Sequence, residues 1–471
     1  MSSTTMPPWI FVLLCTISFF GDFDQGITIG APAQFQYFIQ VSHNTTEPGA
    51  LLGLLSSSFV TTNALSIPLF GYLAMTTKPF RVISMGLAVW IVAVAISSVS
   101  KSANSFELLV VGRFLSGVGA ASFQCIVPAF INDHSPSSVQ TLWLGVYMMS
   151  VSLGMISGRI AASTLSTTSW GWNSLYALEG LAMVPLLFLC RFGIPDEFDR
   201  ISRDVTNESQ GLLAESGSAA PKSFFGEVCG VCSNAAFSWL MLGLASSVFF
   251  SSGLTMLSTL LLIGVGVFSS ETDANVTLGS QALVAIFVGT FLGGVLLDWT
   301  SRGAAYKRQY FAIRQLVLGY PVAAGVVLLS VIALPDKTWF LVWNGLSIVV
   351  FSSTSPVAMT AMFHSVHPSQ RSLAVGLKSL VLHVFGDVPA PVIMGYIKDA
   401  WAPHCNSVLV DGVVVLNPEC HQDKDGLIQA MMFSLVWMVW AITCFGIALY
   451  FARRTMLKEE RAKLCAIDNP K

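Results

Sequence analysis

Twelve runs of about 20 predominantly apolar residues fill most of this 471-residue chain, and each is long enough to cross a bilayer as a helix. They fall at about 9–31, 50–74, 82–100, 106–131, 140–163, 173–194, 236–266, 279–298, 312–334, 339–362, 372–397 and 427–452. Charged residues make up 11% of the chain and hydrophobic residues 54%. A soluble protein carries roughly 25% charged residues, so this chain has too few to cover a water-exposed surface. The pattern therefore predicts an all-α integral membrane protein with twelve transmembrane helices.

A net charge of −2 leaves no basic stripe for nucleic acid. Nine cysteines are too few for a disulfide scaffold. Met1 to Pro8 has neither a basic region nor a small-residue cleavage site, so the first run is expected to stay in the membrane. Lys and Arg predict orientation. With both termini cytoplasmic, 17 of the 24 basic residues fall on the inner side, including Lys78, Arg81, Arg302, Lys307 and Arg308. The sequons at Asn44 and Asn275 then face outward, where glycosylation takes place.

The long polar stretch 195–235 divides the runs into two sets of six, at 1–194 and 236–452, with a tail over 453–471. Its Ser, Gly and Ala content reads as a flexible cytosolic linker. Within it, Glu208, Leu212 and Leu213 fit an acidic-dileucine sorting signal read by adaptors, favouring a late endosomal or lysosomal membrane over the plasma membrane. The halves echo each other: Gly71-Tyr72-Leu73-Ala74 ends the second run and Gly294 to Asp298 ends the eighth, each before basic residues. A 6+6 repeat of this kind is the layout of a secondary transporter.

At these residues the chain resembles the major facilitator superfamily. Gly71 to Arg81 is similar to its loop signature, with Met75 in place of the acidic residue, while Asp298 keeps the carboxylate in the second half. Arg113-Phe114-Leu115-Ser116-Gly117-Val118-Gly119 matches its Arg-x-x-x-Gly-x-Gly. The run from Ala121 through Pro128 to Asp133, and Arg371 with His383 through Gly386-Asp387 to Asp399, resemble the spinster-like branch of lipid transporters. Gln25 and Ala120 stand where that branch has Arg and Glu. Gly386 to Pro391 is also similar to organic-anion-transporting polypeptides. The resemblance implies the major facilitator fold, gating by Gly71, Arg81 and Asp298, and an amphiphilic lipid substrate of lysophospholipid or sphingoid type.

Charges in a bilayer are costly and point to function. Asp22, Asp24, Arg113, Arg159 and Glu179 are expected at one depth of the first half. A pair of Asp24 with Arg113, released by protonation, suits proton coupling. Arg113, Arg159 and Glu179 are candidates for substrate binding; Arg159 otherwise snorkels to the interface and Glu179 otherwise pairs locally. His383 and Asp387, four apart on one helix face, are a second candidate for proton handling. Lys378 contacts an anionic head group or snorkels. Cys405 and Cys420 share an outer loop and are expected to form a disulfide contributing ~3 kcal/mol.

No phosphate-binding Gly-x-x-x-x-Gly-Lys-Ser/Thr loop occurs, and Cys229 and Cys232 lack the second pair a zinc site needs. No cofactor, metal or enzymatic activity is expected, and the chain is expected to act as a monomer. Two other classes stand beside lipid transport: a carrier of small organic anions, and a transporter-like sensor without flux. An intramembrane aspartyl protease using Asp24 and Asp387 would need Gly-x-Gly-Asp, whereas Val384 and Phe385 precede Gly386.

Overall fold

The computed structural model describes residues 6–43, 49–136, 138–165, 170–200, 223–268, 271–302, 307–405, 407–410, 413–416 and 418–468. Asn44 and the Glu208, Leu212, Leu213 motif lie outside them. The described chain is almost entirely helical. In order, the helices are α1 (Pro8–Gly30), α2 (Pro32–His43), α3 (Gly49–Thr76), α4 (Pro79–Ser100), α5 (Phe106–His134), α6 (Gln140–Leu165) and α7 (Gly171–Phe188). They continue with α8 (Phe224–Cys232), α9 (Ala235–Gly264), α10 (Glu271–Thr300), α11 (Arg308–Ile332), α12 (Lys337–Phe363), α13 (Arg371–Leu382), α14 (Pro389–Trp401) and α15 (Lys424–Asp468).

Each of the twelve apolar runs lies on one of these helices or, for the eleventh, on α13 and α14 together. Among the described residues, ten helices are long and apolar enough to span a membrane by length and composition alone. Local chemistry fixes their ends. The Ser105 hydroxyl accepts from Leu108 N at the start of α5, Asn234 from Ala236 and Phe237 N at α9, and Asp336 from Thr338 and Trp339 N at α12.

Three elements depart from a plain reading of twelve rods. The short helix α2 follows α1 after Ala31. The helix α8 forms inside the stretch expected to be a linker. Its inner face holds Phe224 edge-on to Tyr72 at 5.5 Å and Glu227 accepting from Gln370 Nε2 at 2.8 Å. The eleventh run is broken, with a π-helical turn at His383–Asp387 separating α13 from α14. Pro389 and Pro391 lack the N–H that would continue α-helical bonding back to residues 385 and 387, which accounts for the break. Between α14 and α15, antiparallel strands β1 (Ser407–Val410) and β2 (Val413–Leu416) form a hairpin.

The chain divides into two compact units. The first comprises Met1–Pro136, Val146–Val231 and Val366–Leu380; the second comprises Ser137–Gly145, Cys232–Ser365 and Val381–Lys471. In the first, α4 and α3 pack along α5, and α4 along α7. Small residues allow this: a Cβ on Gly119 would lie 2.9 Å from Gly86 O and Trp90 N. Trp90, Phe123 and Trp172 are buried in this unit. In the second unit, α9 and α11 pack along α15, and α10 and α11 along α12. Phe249 stacks on Trp437 at 4.0 Å and Tyr320 packs on Phe445 at 4.8 Å.

Candidate functional site

Within the first unit, Asp24 of α1 and Arg113 of α5 meet in the interior. The Arg113 Nη1 donates to both Asp24 carboxylate oxygens at 2.6 Å, with the two side chains 2% and 0% exposed. Charges this far from water persist only when paired, so the contact offsets a desolvation cost that either would otherwise bear. Phe59 of α3 closes one side, its ring centroid 4.9 Å from the guanidinium carbon. The next turn of α3 ties itself to α5, where Thr62 Oγ1 donates to Phe114 O at 3.0 Å and Asn63 Nδ2 to Gly117 O at 3.1 Å. That clamp fixes the helix from which Arg113 projects.

Glu179 of α7 is also buried, at 1% exposure. Its Oε1 accepts from Trp90 Nε1 at 2.8 Å, and it interacts electrostatically with both Asp24 and Arg113. Tyr176, one turn away on α7, has its hydroxyl 3.3 Å from Thr28 Oγ1 of α1. Asp22 is buried beside the pair and accepts from Gln25 Nε2 at 3.4 Å. Asp22, Asp24, Arg113 and Glu179 thus lie together. Arg159 does not join them: it is exposed, and its Nη2 lies 4.0 Å from Met155 Sδ one turn back. The backbones of α1 and α6 approach so closely at Gly26 and Arg159 N that the Arg159 side chain is directed outward instead.

In the second unit, His383 Nδ1 lies 3.1 Å from Asp387 Oδ2, and Ser252 Oγ of α9 donates to Asp387 Oδ1 at 2.7 Å. These groups are half-buried to exposed, unlike the Asp24–Arg113 pair. Lys378 of α13, in the first unit, is half-buried.

The expected gating residues have different surroundings. Asp298, at the end of α10, accepts from the N–H groups of Thr141 at 3.1 Å and Leu142 at 2.9 Å, in the first turn of α6. A carboxylate is favoured there by the exposed N–H groups of the helix end. Asp298 also pairs with Arg308, whose Nη2 donates to Thr141 Oγ1 at 2.8 Å. On α3, a Cβ at Gly71 would fall 2.6 Å from Ser372 O and 2.8 Å from Leu373 Cα, so α3 and α13 touch through it. Met75, in place of the family's acidic residue, is buried. Arg371 at the start of α13 pairs with Asp133 of α5. Arg81 is exposed; the start of α4 is held by Asp199 Oδ1, which accepts from Phe80 N at 3.0 Å, and by Asp196, 3.1 Å from Lys78 Nζ.

Outside these clusters, Cys405 and Cys420 are joined in a disulfide with their Cα atoms 4.3 Å apart. Asn275 lies in the opening turns of α10. Among the described residues, no group of three or more His, Cys, Asp and Glu could hold a metal ion.

Residues 12–391 match the Major Facilitator Superfamily. The chain belongs to this superfamily. Its relatives include a probable sphingolipid transporter, spinster homolog 3 of Arabidopsis thaliana, 26% identical over 86% of this chain and 81% of that protein. The sphingosine-1-phosphate transporter SPNS2 of Mus musculus is 26% identical over 77% of this chain and 65% of its own length. Among solved structures, a bacterial homolog of the human lysosomal transporter spinster covers 96% of this chain at a TM-score of 0.58 and 18% identity. A major facilitator superfamily transporter, FucP, in the outward conformation, covers 94% of this chain and 98% of its own at a TM-score of 0.60 and 16% identity. This facilitator is a spinster-like multi-pass transporter, not an enzyme. Its fold has twelve transmembrane helices in two sets of six.

Of the groups that complete the first cluster, Trp90, Tyr176 and Phe59 were not singled out by sequence. Each is an aromatic residue within an apolar run, where side chains of this kind mostly pack. Asp133, Asp196 and Asp199 were visible as charges, but their partners lie far along the chain.

Proposed function

We propose that this facilitator moves an amphiphilic lipid of sphingoid or lysophospholipid type by alternating access, driven by a proton gradient. The observation that carries the reading is the buried Asp24–Arg113 pair. A carboxylate that releases its guanidinium on protonation gives the protein two states, one with the pair made and one with it open. A gradient that loads the proton from one side then drives a cycle. His383 and Asp387, supported by Ser252, are a second proton site in this account. The spinster-like relatives support the lipid class.

Gating at the Lys78 end falls in this reading to two clusters, Asp298–Arg308–Thr141 within the second unit and Asp133–Arg371 within the first, with Gly71 allowing α3 to reach α13. Both termini are cytosolic in this reading, Asn44 and Asn275 are glycosylation sites on the other side, and the Glu208–Leu213 signal directs the protein to lysosomal membranes.

The test is uptake of labelled sphingosine, sphingosine 1-phosphate and lysophosphatidylcholine into proteoliposomes with and without a pH gradient, beside a panel of small organic anions. The reading expects uptake of at least one lipid that grows with the gradient. Uptake of organic anions with none of the three lipids would contradict the lipid class, and no flux of any compound would favour a sensor.

A further inference from the structure

Two buried groups in the first unit have unused polar atoms that face a charge mismatch. Among the described residues, the cluster contains three buried carboxyl groups, Asp22, Asp24 and Glu179, and one buried guanidinium, Arg113. Arg113 spends Nη1 on Asp24, and its Nε has no hydrogen-bond partner among the described residues. Glu179 uses Oε1 for Trp90, and its Oε2 likewise has no hydrogen-bond partner among the described residues. Asp24 cancels the charge of Arg113. If Glu179 were also ionised, the cluster would hold an uncompensated negative charge away from water, which a carboxyl avoids by binding a proton.

Resting on the proton-coupled reading above, we infer that Glu179 carries the coupled proton, and that Arg113 exchanges between Asp24 and Glu179 during the cycle. The elements packed around Glu179 supply what this requires. Trp90 of α4 donates to one oxygen and orients the carboxyl. From α1 come Asp24 and, beyond it, Asp22; α5 contributes Arg113, and Tyr176 stands one turn back on α7. Arg113 is the only cation among these groups. When it moves to Glu179, the Glu179 O–H bond breaks, its proton is released to the side of lower proton concentration, and the new carboxylate pairs with the guanidinium. Asp24, left without its partner, forms an O–H bond with a proton taken from the side of higher proton concentration, so the cluster holds one proton in either state. Two carboxyls that share one guanidinium therefore alternate between neutral acid and ion pair. Glu179 supplies on α7 the second carboxyl that this exchange needs, and Ala120 on α5 supplies none.

The experiment compares wild type, Glu179→Gln and, as a control at an exposed carboxyl outside the cluster, Glu107→Gln in proteoliposomes, with labelled sphingosine 1-phosphate as probe. For one coupled proton, a gradient of one pH unit changes steady-state accumulation about tenfold. Wild type and Glu107→Gln are expected to show that response, and Glu179→Gln to accumulate the probe equally with and without the gradient. A gradient response in Glu179→Gln equal to wild type would overturn the inference and leave proton coupling standing. A wild type indifferent to the gradient would overturn coupling, and with it the transport role of Glu179. An infrared spectrum separates this role from a structural one. Wild type at neutral pH is expected to show a protonated-carboxyl band that shifts in Trp90→Phe, where its hydrogen bond is lost. The absence of any such band in wild type would overturn the inference even if Glu179→Gln failed to fold.

Discussion

Arg113 is held by one carboxylate and by the face of an aromatic ring, both buried with it. Removing one partner from such a pair leaves a bare charge in the interior at a cost of about 3–5 kcal/mol. Asp24→Ala is therefore expected to lower stability by that amount in denaturation of the detergent-solubilised protein. The double variant Asp24→Ala with Arg113→Met should lose less than the sum of the two single changes. Additive losses would mean that the contact contributes little. The identity of these two residues was legible in the sequence, because a charge inside an apolar run is conspicuous. The exclusion of Arg159 was not, since helical depth puts it level with the others and only the packing of α1 on α6 decides where its side chain points.

At the scale of elements, close approaches and cross-links set what can move. Gly376 of α13 lies against α3, where a Cβ would come within 2.7 Å of Pro68 Cα and 2.8 Å of Ile67 O. Gly376→Val should push α13 from α3, favour the state open at the Lys78 end, and raise the labelling of a cysteine placed at Ser372. Unchanged labelling would argue against a gate there. The Cys405–Cys420 disulfide closes a loop of 15 residues, worth about 3 kcal/mol in the chain-entropy account. Replacing both with Ser is expected to lower the thermal midpoint without altering the pH dependence of transport. A change in that dependence would show that the α14–α15 connection takes part in coupling. Helix positions were legible because apolar runs of spanning length have few alternatives. The break at His383–Asp387 was only half legible, as Pro389 and Pro391 loosen a helix without specifying a π turn. The helix α8 was hidden by composition: Ser and Gly around it read as linker, while its order comes from Tyr72 and Gln370.

For the whole molecule, the twelve runs and the family match agree on a facilitator with two sets of six helices. The division into units was less legible. It cuts through α6 and the eleventh run, assigning Ser137–Gly145 to the second unit and Val366–Leu380 to the first. The contacts of Asp298 with Thr141 and of Arg371 with Asp133 each fall inside one unit, and a linear reading of halves at 195–235 cannot anticipate pairs more than 150 residues apart. Orientation is testable at this scale. With cytosolic termini, Asn44→Gln and Asn275→Gln should each remove a glycan shift in protein made in eukaryotic cells. A tag at Lys471 should be reached by antibody only after the plasma membrane is permeabilised. Antibody binding to intact cells displaying the protein would contradict that orientation.

Coupling by the buried pair would make lipid movement depend on Asp24 whenever a gradient drives it. The direct measurement is uptake of labelled sphingosine 1-phosphate by proteoliposomes of wild type and Asp24→Asn, with and without an imposed pH gradient. The account predicts gradient-stimulated uptake in wild type and its loss in Asp24→Asn. Stimulation that persists unchanged in Asp24→Asn would make the pair structural and contradict the central claim.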